Sequence, residues 1–282
     1  MDLTNSVIII NKPCGQICHE ITTEVKKIVG ASRSGHAGTL DPDVSGVLPV
    51  AIGRATKLLR YIAGKDKTYV ALMKTKRKLE RTEIDALFKE FRGEITQTPP
   101  KISAVRKVAR KRTIHELTIL EVNGNLILFR AKVDAGTYIR TLCEDMGKKI
   151  GGARMIELRR ISVGSITENE AYTMQDLIDA VWLLKNKNDA SELERMLRKP
   201  EEFIDFPKVV AKDSAVAELK NGAQLAVPGV LKFDSSTRKD GQVAVYSEGG
   251  KFVGVGVFLL TYEEFIKMNK GIAVRMERVH CP

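Results

Sequence analysis

Asp41 is the residue best placed for chemistry. It lies in the run Gly35-His36-Ala37-Gly38-Thr39-Leu40-Asp41-Pro42-Asp43-Val44-Ser45-Gly46. Pro42 donates no N–H and pushes the residue before it out of the helical region, while the flanking glycines open backbone angles closed to other residues. Such a loop can hold a carboxylate on a rigid, unusual path. An ionised carboxylate held there is suited to nucleophilic attack. Alone, an Asp-Pro step among glycines also describes an ordinary surface turn.

Two other groups of residues bear on chemistry. Cys14 and Cys18, with His19 beside them, lack a second close pair of ligands, so no metal site is expected. Four cysteines scattered over 282 residues do not form a disulfide framework, and a reducing compartment is expected. The second group is electrostatic. The chain carries a formal net charge of +11, and residues 101–112 hold six basic residues and no acidic one. Residues 206–282 contain 11 Lys+Arg against 8 Asp+Glu, which leaves +8 on residues 1–205. A concentrated basic stretch of this kind points to a polyanionic partner, because docking on phosphates releases condensed counterions. No apolar run is long enough to span a membrane and no segment reads as a cleaved signal peptide, so no membrane partner and a cytoplasmic location are expected.

The elements that must position Asp41 follow from periodicity. Val7 to Ile10 reads as a buried strand, and Ile21, Val25, Ile28 and Val29 form one face of a helix. After the Asp41 loop the next strand runs from Thr68 to Met73. Thr82, with Asp85 three residues on, caps a helix striped by Ile84, Leu87, Phe88 and Phe91. Asn123-Gly124 between two apolar runs signals a hairpin. A helix from Thr137 to Ile150 buries Ile139, Leu142, Cys143 and Met146, and another runs from about Met174 to Leu184. This mixture predicts an α+β domain around a largely antiparallel mixed sheet. Charged residues from Asn186 and prolines at 200 and 207 place a boundary near Asp205, giving domains 1–205 and 206–282. Beyond it, strands at Gln242–Ser247, Lys251–Leu260 and Ile272–Val279, with a short helix at Tyr262–Met268, predict a small barrel-like β domain.

From Gly35 through Gly53-Arg54-Ala55-Thr56-Lys57 the chain resembles the catalytic segment of TruB-type pseudouridine synthases. It is most similar to the dyskerin-type branch that forms the catalytic core of archaeal H/ACA ribonucleoproteins. The collinear blocks are Lys67-Thr68-Tyr69-Val70-Ala71-Leu72-Met73, Gln97-Thr98-Pro99-Pro100, Gly136-Thr137-Tyr138-Ile139-Arg140-Thr141-Leu142-Cys143 and Glu157-Leu158-Arg159-Arg160. Lys212-Asp213-Ser214-Ala215-Val216 and Gly222-Ala223-Gln224-Leu225 through Val230 resemble the start of that family's PUA domain. The family converts uridine in RNA to pseudouridine without a cofactor. By this resemblance Asp41 is the catalytic aspartate, Arg140 pairs with it, and Tyr69 stacks on the target uracil. His36 and Tyr138 attend the flipped nucleotide, and Leu158 lines its pocket. Lys101, Arg106 and Arg110 belong to a loop that clamps substrate RNA, and Arg159 and Arg160 either contact phosphate or support packing. The implied partners are an H/ACA guide RNA, rRNA and tRNA substrates, and small accessory proteins of the particle.

The chain departs from the family pattern at Asn11, at Cys14-Gly15-Gln16-Ile17-Cys18, at Lys74 to Arg81 and at Arg154-Met155. These are scaffold and docking positions. Two competing functions stay open at this stage: a stand-alone tRNA pseudouridine-55 synthase, and a noncatalytic RNA-binding scaffold that uses the same basic surface.

Overall fold

The computed structural model describes residues 5–99 and 106–280, and the chain divides into two compact units. The first comprises residues up to 53 and 59–197; the second comprises 54–58 and the chain from Arg198.

In the first unit the order is β1 (Val7–Lys12), α1 (Cys18–Val29), β2 (Ser34–His36), β3 (Ser45–Ile52), α2 (Leu59–Ala63), β4 (Lys67–Thr75), α3 (Arg81–Glu90) and β5 (Gly93–Gln97). Then come β6 (Arg110–Asn123), β7 (Leu126–Val133), α4 (Ile139–Ile150), β8 (Ala153–Val163), β9 (Ile166–Thr167), α5 (Met174–Lys187) and α6 (Ser191–Met196). The strands form one sheet in the order β1-β3-β8-β4-β7-β6-β5, with β2 paired to β3 and β9 to β8. All pairs are antiparallel except β3 with β8. The helices cover an apolar face built from Ile8, Ile10, Val50, Ala71, Met73, Phe129 and Ala131. Cys143, fully buried on α4, belongs to this core, and burial pushes its thiol up to about 12.

Several strands were not legible in sequence, among them β2, β3 and β8. The strand expected second, at Thr68–Met73, is preceded by β2 and β3. Pro49 disguises β3, yet it sits in the stretch Val47–Pro49 that neither β8 nor β2 pairs, so its missing donor is tolerated there. The charged face of β8 hides its strand character in the same way, since only Arg160 and Val163 along it are buried. A further difference concerns α3: Thr82 lies inside its first turn, and the Glu83 carboxylate accepts the backbone N–H of Glu80, the residue that caps the helix.

One glycine is required by the sheet. A Cβ at Gly46 would stand 2.1 Å from the Arg160 carbonyl oxygen, and its φ of +112° suits no other residue. Gly46 therefore permits the parallel contact of β3 with β8 beside the Asp41 loop.

In the second unit β10 (Lys208–Ala211), α7 (Asp213–Lys220), β11 (Leu225–Ala226), β12 (Val230–Phe233), β13 (Gln242–Ser247), β14 (Phe252–Phe258), α8 (Tyr262–Lys267) and β15 (Ile272–Val279) form a nearly closed, barrel-like sheet. Its order is β11-β15-β14-β13-β10-β12. Val209, Val243, Val245, Val253 and Val274 fill its centre, and the rings of Phe233, Phe258 and Phe265 pack together at its margin. Thr261 and Glu264 exchange reciprocal hydrogen bonds that start α8. Among the described residues no helix is long and apolar enough to cross a membrane.

Candidate active site

The Asp41 loop is held from below by a buried cation. The Lys12 side chain at the end of β1 is fully buried, and its Nζ donates to the carbonyl oxygens of Pro13 (2.8 Å), Pro42 (2.9 Å) and Val44 (2.8 Å). Burial pulls the ammonium below its ordinary value, against the opposing influence of Cys18, Cys14, Asp43 and Asp41. Two thiols brace the same loop. Cys18 Sγ accepts the Leu40 N–H at 3.2 Å and donates to its carbonyl at 3.3 Å, while Cys14 Sγ donates to the Asp43 carbonyl at 3.4 Å. Backbone atoms on both sides of Asp41 are thus tied down and its carboxylate is left half-exposed.

Arg140, in the first turn of α4, reaches that carboxylate: Nη2 donates to Oδ2 at 2.5 Å. The start of α4 is fixed by the buried Gln97 side chain, whose amide donates to the Tyr138 carbonyl (3.1 Å) and accepts the Tyr138 N–H (3.0 Å). Tyr69 and Leu158 come from neighbouring strands, with Tyr69 opposite Arg160 and Leu158 opposite Ala71. Together these residues line a cleft of about 470 Å³ whose walls also include Gly38, Leu40, Val44, Lys67, Thr137, Ile139, Met155 and Arg160. A half-exposed carboxylate oriented by a guanidinium at the mouth of an apolar-walled cleft can act as a nucleophile or base on a bound planar ring.

Asp41, Tyr69, Arg140, Tyr138 and Leu158 share this cleft. His36 does not line it; the residue lies on β2 opposite Val50, and its Nδ1 is buried without a hydrogen-bond partner among the described residues. Burial, with Arg160 and His19 nearby, pushes His36 below its ordinary value, so it is neutral at pH 7. Arg110 borders a small side pocket with Gln97, Pro99, Arg112, Gly136 and Tyr138, and Arg106 is exposed. Lys101 lies outside the described residues.

Lys12 and Lys67 had no assigned role in the sequence, and Arg160 was left between phosphate contact and packing. Lys12 is the anchor described above. Arg160 is almost completely buried; its Nε donates to the Val47 carbonyl (2.8 Å) and its Nη2 to that of Gly38 (3.0 Å), so it supports packing under the loop. Arg159 likewise binds Glu168, Ser45 and Asn11 side chains. Lys67 stands two positions from Tyr69 on β4, where period-two spacing puts both on one face. Outside the cleft, Asp66, His115 and Asp134 bring one ligand atom each within 4.8 Å of one another, but they are engaged with each other, His115 Nε2 lying 2.9 Å from Asp134 and 3.4 Å from Asp66.

Comparison with known proteins gives a consistent family. The family model described as "TruB family pseudouridylate synthase (N terminal domain)" matches residues 26–80 and 72–139, "tRNA pseudouridylate synthase B C-terminal domain" matches 140–204, and "PUA domain" matches 207–280. A "Probable tRNA pseudouridine synthase B" of Methanocaldococcus jannaschii is 44% identical over 277 residues, covering 97% of this chain and 82% of the relative. Its counterpart in Pyrobaculum aerophilum is 43% identical over 276 residues, covering 97% and 83%. Among solved structures, a Cbf5-Nop10-Gar1 complex contains a chain that superposes with a TM-score of 0.92 at 39% identity, covering 99% of this chain and 86% of that one. An H/ACA RNP bound to a substrate RNA containing 2'-deoxyuridine gives 0.90 at 37% identity, with 99% and 86% covered.

Proposed function

The chain belongs to the TruB family of pseudouridine synthases, RNA uridine isomerases, and from that premise we propose that it is the catalytic subunit of an H/ACA guide RNA ribonucleoprotein. Its substrates are uridines in rRNA, with tRNA as a second class. The observation that carries the catalytic part is the Asp41–Arg140 pair at the cleft. Likeness over 99% of the chain to the proteins of the Cbf5 and H/ACA complexes supports the guide-dependent part.

In this reading the target nucleotide leaves its stack and its uracil enters the cleft against the Tyr69 ring, with Leu158 as an apolar wall and Tyr138 packing beneath. The Arg140 guanidinium holds the Asp41 side chain in one rotamer. The N1–C1′ bond breaks, the base turns, and C5 bonds to C1′ while its hydrogen passes to water. Neutral His36 contacts RNA near the flipped nucleotide by hydrogen bonding, without charge. Lys101, Arg106 and Arg110 bind phosphates and add salt-dependent affinity with little base reading. Guide pairing selects the uridine; residues 206–282 act as a PUA domain on the guide's terminal ACA region, and residues 1–205 carry catalysis. The particle includes small accessory proteins and works in the cytoplasm.

The second reading, a stand-alone tRNA pseudouridine-55 synthase, is favoured by the names of the archaeal relatives. Tritium release from C5-tritiated uridine separates the two. Release that requires guide RNA and accessory proteins supports the particle; release from tRNA by the protein alone supports the second reading and overturns guide dependence for that substrate.

A further inference from the structure

Every route that breaks the N1–C1′ bond leaves the bonding pair on the base. The detached uracil is then an anion, its charge shared among N1, O2 and O4, until the C5 electron pair attacks C1′ and the C5 proton leaves. Meanwhile Asp41 either bonds C1′ and is displaced when C5 attacks, or takes a proton from C2′ and returns it; N1 gains a proton as C5 loses one, so the sum is an isomerisation with no co-reactant. An anion formed in a water-poor cleft needs a preorganised positive charge beside it.

The charged side chains that line the cleft are Asp41, Lys67, Arg140 and Arg160. Arg140 is committed to Asp41. Arg160 spends Nε and Nη2 on the Val47 and Gly38 carbonyls beneath the loop. Lys67 is 4% exposed and its Nζ donates to the carbonyl oxygens of Ala63 and Lys65, both at 2.5 Å. An ammonium has three N–H groups, and the third finds no protein acceptor among the described residues. Lys67 shares the β4 face with Tyr69, so this charge borders the place where the base is taken to stack.

We infer that Lys67 supplies the charge that stabilises the departing uracil anion, an assignment that rests on the cleft being the catalytic centre. The two carbonyls fix the ammonium in advance, so no reorganisation is needed when the bond breaks. Its protonation is finely balanced. Burial pushes it down to about 8, the Arg160 guanidinium adds to this, and the Asp66 carboxylate opposes it; Asp41 and Arg140 face the same cleft as a neutralised pair.

The test compares wild type, Lys67→Met and Lys67→Arg on RNA whose target is uridine or 5-fluorouridine. Consumption of the starting nucleoside is followed by mass spectrometry, because C5 of the fluorinated base has no proton to lose and its rearranged product is completed by addition of water at C6. The 5-fluorouracil anion is the more stable, so it needs less help. Lys67→Met is expected to lose about 10²–10³-fold in kcat on uridine and at least about tenfold less on 5-fluorouridine. The wild-type rate should fall as pH rises through about 8, whereas Lys67→Arg stays flat across that range. Equal losses on both substrates in a folded Lys67→Met protein overturn the inference and leave Lys67 a packing residue. Should that variant fail to fold, Lys67→Arg decides: a fall with the wild-type midpoint overturns it. Turnover by Asp41→Ala would instead overturn the reading of the cleft itself.

Discussion

Replacing Lys12 by Met removes the cation beneath the Asp41 loop while keeping an apolar stem of similar length. Three charge-assisted hydrogen bonds are lost, each contributing about 1.5–3 kcal/mol. Relief of the buried ammonium returns several kcal/mol, on the order of 3 to 5. The Pro42 carbonyl keeps the Gly15 N–H and Pro13 is an exposed residue, so the carbonyl of buried Val44 is the one orphaned, at a cost of about 1–3 kcal/mol. These figures leave a net destabilisation of about 5 kcal/mol, concentrated at residues 38–46. Rate falls as well, because a shift of about 1 Å in Asp41 costs roughly 10²-fold. Hydrogen exchange of the loop amides, urea unfolding and kcat for tritium release should therefore change together, with RNA affinity nearly constant. Unaltered loop protection and unaltered kcat in Lys12→Met would refute the anchoring argument.

Arg140→Met should lower stability by no more than about 1 kcal/mol, because the ion pair is substantially exposed, yet reduce kcat by roughly 10²–10³-fold; equilibrium unfolding and single-turnover kinetics separate the two. Gly46→Ala forces a Cβ onto the Arg160 carbonyl and should cost about 3 kcal/mol or more, read as a lowered midpoint for the first unit in calorimetry. Lys67 titrates lower in the folded chain than its ordinary value of 10.5, so the unfolded chain binds more protons between about 8 and 10.5 and stability should rise with pH in that window. The rise is on the order of 3 kcal/mol and should vanish in Lys67→Met, as urea titrations at several pH values will measure.

The parts of the site legible in sequence are those whose role depends on local backbone chemistry or on recognisable blocks. Asp41 stands out through its proline and glycines, and Arg140 and Tyr138 lie in a block that runs straight into α4, so the α+β layout and the cleft residues could be anticipated together. Lys12 and Lys67 could not, since a cation reads as surface unless tertiary packing supplies buried carbonyls for it, and the sequence left Arg160 between phosphate contact and packing for the same reason. The one available signal was the spacing of Lys67 and Tyr69 on β4. His36 read as part of the loop, but pairing with Val50 draws it into β2 and away from the cleft wall. Pro49 likewise interrupts the apolar run of β3, and only the sheet's incomplete pairing there explains why it is allowed.

The most direct test of the account is tritium release from C5-tritiated uridine in RNA by Asp41→Ala and Asp41→Asn beside wild type, with RNA binding measured on the same preparations. The account expects binding within about threefold of wild type and no turnover above background, since neither side chain carries an ionised carboxylate. Sustained turnover by either variant would contradict it and move the chemistry away from the Asp41 loop.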